Sequence, residues 1–103
     1  MNGAVKRFKI KRIGRTSGVV HEHVTTVDAE DAHLLRSSYW VIQINNQTGH
    51  YYITRKTPRG TEFLHHVIVG AEPGEPVVHI NGDSLDNRKA NLLRRRDRVE
   101  EIE

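Results

Sequence analysis

The sequence has no cysteine. That removes disulfide cross-links, thiol nucleophiles and cysteine-ligated zinc from consideration. Its three prolines are scattered, and no Gly/Ser-rich or Pro-rich linker divides the chain. No segment repeats. No apolar run approaches the ~20 residues that cross a bilayer, and the basic start lacks the apolar core of a signal peptide. These absences point to one small cytoplasmic domain with no membrane association. Across 103 residues, 36% are hydrophobic and 28% charged, a composition that builds a modest core rather than a disordered chain.

Acidic residues are missing from one region. Residues 1–15 hold Lys6, Arg7, Lys9, Lys11, Arg12 and Arg15 and no acid. The remaining 88 residues carry ten cations and thirteen acids. The net +3 is therefore a basic arm, about residues 1–18, on a slightly acidic body. Such a distribution suits a polyanionic partner, and it equally suits a solubilising arm.

The pattern along the chain reads as α+β, with antiparallel strands or hairpins. Phe8 and Ile10 alternate with Lys9 and Lys11 as in a strand. Thr16-Ser17-Gly18 marks a turn before a second strand, Val19 to Val24. Asp28 is placed to cap a helix from Ala29 to about Ser37, with Val27 and Ala32 as a hydrophobic staple and Ala32 and Leu35 buried. Trp40, Ile42 and Ile44 alternate inward, and Tyr51 and Ile53 begin a returning strand. Phe63 to Val69 reads as a further strand, which would put His65 on a face with Phe63 and Val67. Val77 to Ile80 is a short strand, followed by a polar turn at Asn81-Gly82-Asp83. Leu92-Leu93 is a short apolar stretch, and Asp97 is placed to cap a last turn of helix.

Seven histidines need sorting. His21 and His23 share a strand face, at a spacing that can hold a metal and that a solvated face also produces. His33 and His50 read as surface residues. His65, His66 and His79 stand in a different context. Leu64-His65-His66 precedes a Pro/Gly stretch. The run His79-Ile80-Asn81-Gly82-Asp83-Ser84-Leu85-Asp86-Asn87-Arg88-Lys89-Ala90-Asn91-Leu92 comes next.

This run resembles the HNH nuclease family, in particular its small phage and homing-type members, over about residues 19–100. The resemblance implies a single HNH-type domain with a ββα-metal finger over about residues 63–103. His79 would be the general base on the first strand. Asn91, opening the second strand, would hold the intervening loop and orient His79. The last helix would supply a metal ligand near Glu100.

The chemistry is coherent in its own terms. Phosphodiester hydrolysis needs an activated water and a cation facing the leaving oxygen. An ordinary imidazole, with pKa about 6.5, accepts a proton near neutrality. A divalent metal stabilises the phosphorane and the departing alkoxide. Oxygen ligands suit Mg²⁺ or Mn²⁺, and an added imidazole shifts the preference toward Mn²⁺. Turn formation accounts equally well for Asn81, Asp83, Asp86 and Asn87.

Two positions depart from the family pattern. Val78 stands where the family places an Asp ligand, and a valine cannot bind a cation. Glu100 stands where the last helix carries Asn; it can ligate a metal, or it can close a capping box with Asp97. His65, which takes the family's His position, is the leading replacement ligand, ahead of His66. Arg88, Lys89, Arg94, Arg95 and Arg96 flank Asn91 and would contact DNA phosphates with weak sequence preference. The expected activity is a metal-dependent nicking endonuclease, which as a homodimer would cut both strands. A catalytically degenerate DNA-binding module and a histidine-based metal-binding protein are the alternatives.

Overall fold

In the computed structural model, residues 4–14, 16–94 and 102 are described. Two long strands, β1 (Val5–Ile13) and β2 (Val20–Asp28), form an antiparallel ribbon with Val5 opposite Asp28 and Ile13 opposite Val20. The turn closes where Gly14 N–H donates to Val19 O at 2.8 Å, and Gly18 supplies the positive φ of +69° that the reversal needs. Period-two alternation gives the ribbon two unlike faces. Phe8, Ile10, Thr25 and Val27 turn toward the body; Arg7, Lys9, Lys11 and Val24 are exposed on the other side.

A short 3₁₀ turn, Ala29–Asp31, leads into α1 (Ala32–Ser37). The expected helix over 29–37 is therefore split. Val27 and Ala32 are both buried, as the staple requires. Asp28 makes no side-chain cap. Its Oδ2 accepts instead from the backbone N–H of Lys89, 61 residues away, at 2.9 Å.

The strands β3 (Val41–Ile44), β4 (Tyr51–Thr57) and β5 (Gly60–Phe63) make an antiparallel meander. Trp40 and Ile42 are buried, but Ile44 is exposed. Alternation of β3 thus loses its apolar face at the sheet end, which opens on a cleft.

Phe63 to Val69 is not a strand. Leu64–Val69 forms a helix, α2. A short continuous apolar run fits a buried helix as well as a strand, and the deciding signal is Gly70. It adopts the left-handed conformation (φ +68°), and Ala71 N–H returns to His66 O at 2.9 Å, a helix stop that needs glycine. In consequence Leu64, His65 and Ile68 are the residues buried, and His65 does not share a strand face with Val67.

The chain then forms a second ribbon from β6 (Val77–His79) and β7 (Leu92–Arg94), with His79 opposite Leu92. The loop between them is pinned to β2: Thr26 N–H donates to Leu85 O, and Asn87 N–H to Thr26 O at 2.8 Å. Val27, Trp40, Ile42, Ile53, Leu64, Ile68 and Leu92 form one core cluster. It draws on the first ribbon, the meander, α2 and β7, so the three small sheets share one interior. The architecture is α+β with antiparallel strands and few helices, and no described helix is long and apolar enough to cross a membrane.

Candidate functional site

A cleft of about 590 Å³ opens between the end of β3, the start of α2 and β6. His50, Tyr52, His65, His66, Val78 and His79 line it. The imidazoles are in contact: the ring centroids of His65 lie 4.5 Å from His66 and 4.6 Å from His79. Tyr52 stands 5.7 Å from His65 and 6.4 Å from His79. The helical course of residues 64–69 brings His65 here, from the first turn of α2.

His65 is 6% exposed. Burial, with the neighbouring His79 and His66 adding to it, pushes its pKa down to about 3. It is therefore a neutral nitrogen donor at physiological pH. Burial also lowers His66, against the opposing pull of Glu75.

His79 is held by its loop. Its Nε2 lies 2.8 Å from Asn87 Oδ1. Asn87, 1% exposed, donates through Nδ2 to Thr25 Oγ1 at 2.9 Å. Thr25, fully buried on β2, donates in turn to Leu85 O at 2.8 Å. Asn91 works one layer further out. Its Oδ1 accepts from Asn81 N–H, its Nδ2 donates to Asn81 Oδ1 and Asp86 O, and its carbonyl accepts from Ile80 N–H. Asn91 thus bonds within the loop rather than to His79. The side chain that touches His79 is Asn87.

The loop's other polar residues are turn builders. Asn81 Oδ1 accepts from Asp83 N–H and Asp83 Oδ1 from Leu85 N–H, and Gly82 takes a φ of +79°. Asp86 closes on Arg88 through two hydrogen bonds of 2.7 Å. That contact first, helped by Asn81, holds its carboxyl below the usual range.

The described basic side chains flanking Asn91 are engaged within the molecule. Arg88 is paired with Asp86. Lys89 Nζ lies 2.6 Å from Glu30 Oε1 and 3.0 Å from Asp31 Oδ1. Arg94 turns inward: its guanidinium meets Glu75 at 2.6 and 2.7 Å and donates to Val69 O. It sits 11% exposed, turned away from the solvent-facing position a phosphate contact needs. Arg95, Arg96 and Glu100 lie outside the described residues.

His21 and His23 share a face of β2, but His23 stacks on Tyr51 at 4.5 Å, and no third ligand joins them among the described residues. The one described group whose three ligand atoms converge within 4.8 Å is Asp28, Glu30 and Asp31, and the Lys89 ammonium already bridges two of these carboxylates. The cleft offers a different donor set: imidazoles from His50, His65, His66 and His79, amides from Gln43 and Asn45, and no carboxylate among its described lining residues. Imidazole nitrogens with amide oxygens fit a first-row transition ion better than Mg²⁺.

Tyr52 escaped the sequence reading because only the return of β4 along β3 carries it to the cleft; His50, read as a surface residue, is exposed and lines the cleft. Thr25 had no signal at all, since its partner is 62 residues away. Asn87 had a signal, the motif itself, which turn formation also explained. No family model, curated protein or solved structure matches this chain.

Proposed function

We propose that this chain is a metal-dependent endonuclease of the HNH type, hydrolysing DNA phosphodiester bonds and nicking one strand, with His79 as general base. The observation that carries the reading is the placement of the motif residues. His79 sits at the cleft wall on β6, tied through Nε2 to a buried amide, inside a loop that Asn91 pins. The two strands β6 and β7 and this loop would be the ββ portion of a ββα-metal finger.

In the reaction, His79 takes a proton from water through Nδ1. The water oxygen bonds to phosphorus, the bond to the leaving oxygen breaks, and solvent protonates that oxygen. His65, with Glu100 or His66, would hold the divalent ion. That ion supplies charge stabilisation at the phosphorane and the leaving oxygen. With Val78 in place of a carboxylate, the donor set favours Mn²⁺ over Mg²⁺. Tyr52 and Phe63 wall the cleft beside His65.

Supercoiled plasmid incubated with the protein and Mn²⁺ should convert to open circles, more slowly with Mg²⁺ and not with EDTA or with His79→Ala. Plasmid binding without nicking under every metal would overturn the nuclease. It would leave a degenerate DNA-binding module, the reading that Val78 favours.

A further inference from the structure

We propose that Asn87 and Thr25 are positioning residues that lock His79 in its Nε2–H tautomer, so that Nδ1 is its proton-accepting nitrogen. The mechanistic half of this inference rests on the nuclease reading above; the tautomer itself does not.

The direction of the hydrogen-bond chain settles the assignment. Leu85 O can only accept. Thr25 Oγ1, 2.8 Å from it, must donate. The Thr25 hydroxyl has one proton, so its oxygen receives its second bond from the Asn87 amide, through Nδ2. Asn87 Oδ1 then faces His79, and Nε2 must carry hydrogen to bond it. Reversing the amide would turn the Thr25 proton to Asn87 and leave Thr25 Oγ1 and Leu85 O, which already accepts from Thr26 N–H, facing each other at 2.8 Å with no proton between them. Thr25 and Asn87 are 0% and 1% exposed, so water cannot stand in for either partner. Among the described residues, His79 Nδ1 makes no hydrogen bond. The groups facing the ring are His65, Tyr52 and, further off, His66, and none competes for Nε2.

The chain also has a place in the fold. Thr25 belongs to β2 of the first ribbon, and the neighbouring Thr26 pairs its backbone with Leu85 and Asn87. The ribbon is therefore part of the site through one hydroxyl.

The test reads the tautomer directly, by long-range proton–nitrogen correlation of the imidazoles in ¹⁵N-labelled full-length protein, without metal or DNA. His79 should show a pyrrole-type Nε2 and a pyridine-type Nδ1. Thr25→Val removes the hydroxyl at nearly constant shape and should mix the tautomers; Thr25→Ser should restore the single form. In the nicking assay Thr25→Val should lower kcat about 10-fold with KM unchanged, and serine should rescue it. Asn87→Asp keeps an acceptor at Nε2 and should preserve the tautomer. A pyridine-type Nε2 in the parent protein, or a tautomer indifferent to Thr25→Val in a protein that still folds, overturns the proposal. If the tautomer responds as stated but no plasmid is nicked, the nuclease reading fails while the positioning stands.

Discussion

In β1, Arg7, Lys9 and Lys11 project from the outward face of a two-stranded ribbon. In the second ribbon's loop and on β7, Arg88, Lys89 and Arg94 each close on a carboxylate. On paper both are basic stretches of similar density. They differ in what the chain brings to meet them. β1 lies against β2, whose outward face offers Glu22, and the Lys9–Glu22 pair is exposed and 3.6 Å long. The second stretch is met by Glu75, Asp86 and the adjacent Glu30 and Asp31, delivered from three separate places in the sequence. A run of cations is therefore a measure of available charge only after the fold has assigned its acids. Ribbon lysines also discourage edge-to-edge pairing, so exposure alone does not make them a nucleic-acid contact.

This contrast can be broken experimentally, and the interior arginine should break first. Arg94→Ala strips Glu75 of its guanidinium and Val69 O of a donor, and should cost about 3 kcal/mol, the scale for removing one partner of a buried pair. Urea denaturation measures it. A loss below 1 kcal/mol would mean Arg94 is as dispensable as a surface cation.

Acidification comes next, because it acts through the buried imidazole of the cleft. His65 is held near 3 in the folded chain against 6.5 when unfolded. The unfolded state thus binds a proton that the folded state refuses. Stability is full above about pH 6.5 and falls as pH drops toward 3, by at most about 1.4 kcal/mol per pH unit. His65→Gln should flatten that slope between pH 6.5 and 4.5; an unchanged slope would place the titrating group elsewhere.

Lys89→Gln should be milder. Its side chain is 43% exposed, and solvent screens the pair, so about 1 kcal/mol or less is expected in the same denaturation experiment. Retention of the Lys89 backbone contact to Asp28 keeps the loop anchored.

The smallest stability effect belongs to the ribbon. Arg7→Gln, Lys9→Gln and Lys11→Gln together should leave unfolding within about 0.5 kcal/mol. If this face contacts DNA, the same triple variant lowers the salt dependence of duplex binding by about 2–3 in the log–log slope. An unchanged slope by fluorescence anisotropy assigns the ribbon lysines to solubility alone.

Several elements were legible in the chain because their signals are local. The alternation of Phe8 and Ile10, the Val27–Ala32 staple, the short strand ending at His79 and the turn at Asn81-Gly82-Asp83 each depend on neighbours within a few residues. Residues 63–69 were misread because seven apolar and imidazole residues satisfy both periods, and the glycine that stops the helix lies just beyond them. Asp28 was misread as a cap because its real partner, the Lys89 backbone, is far along the chain. The site divides in the same way. His79 and Asn91 stand out through the spacing of one continuous motif. Asn87 stands in that motif too, but its contact with His79 does not.

By itself, then, the sequence determined the α+β class, the loop and short strands around His79, and the exposure of one basic run that no acid interrupts. Tertiary structure decided which imidazoles meet, which cations are paired with acids from elsewhere in the chain, and which nitrogen of His79 is hydrogen-bonded. Those outcomes depend on pairs such as Thr25 with Asn87 and Glu75 with Arg94. Hydrogen bonds and ion pairs act over about 3 Å, and only the packed core brings such distant residues that close.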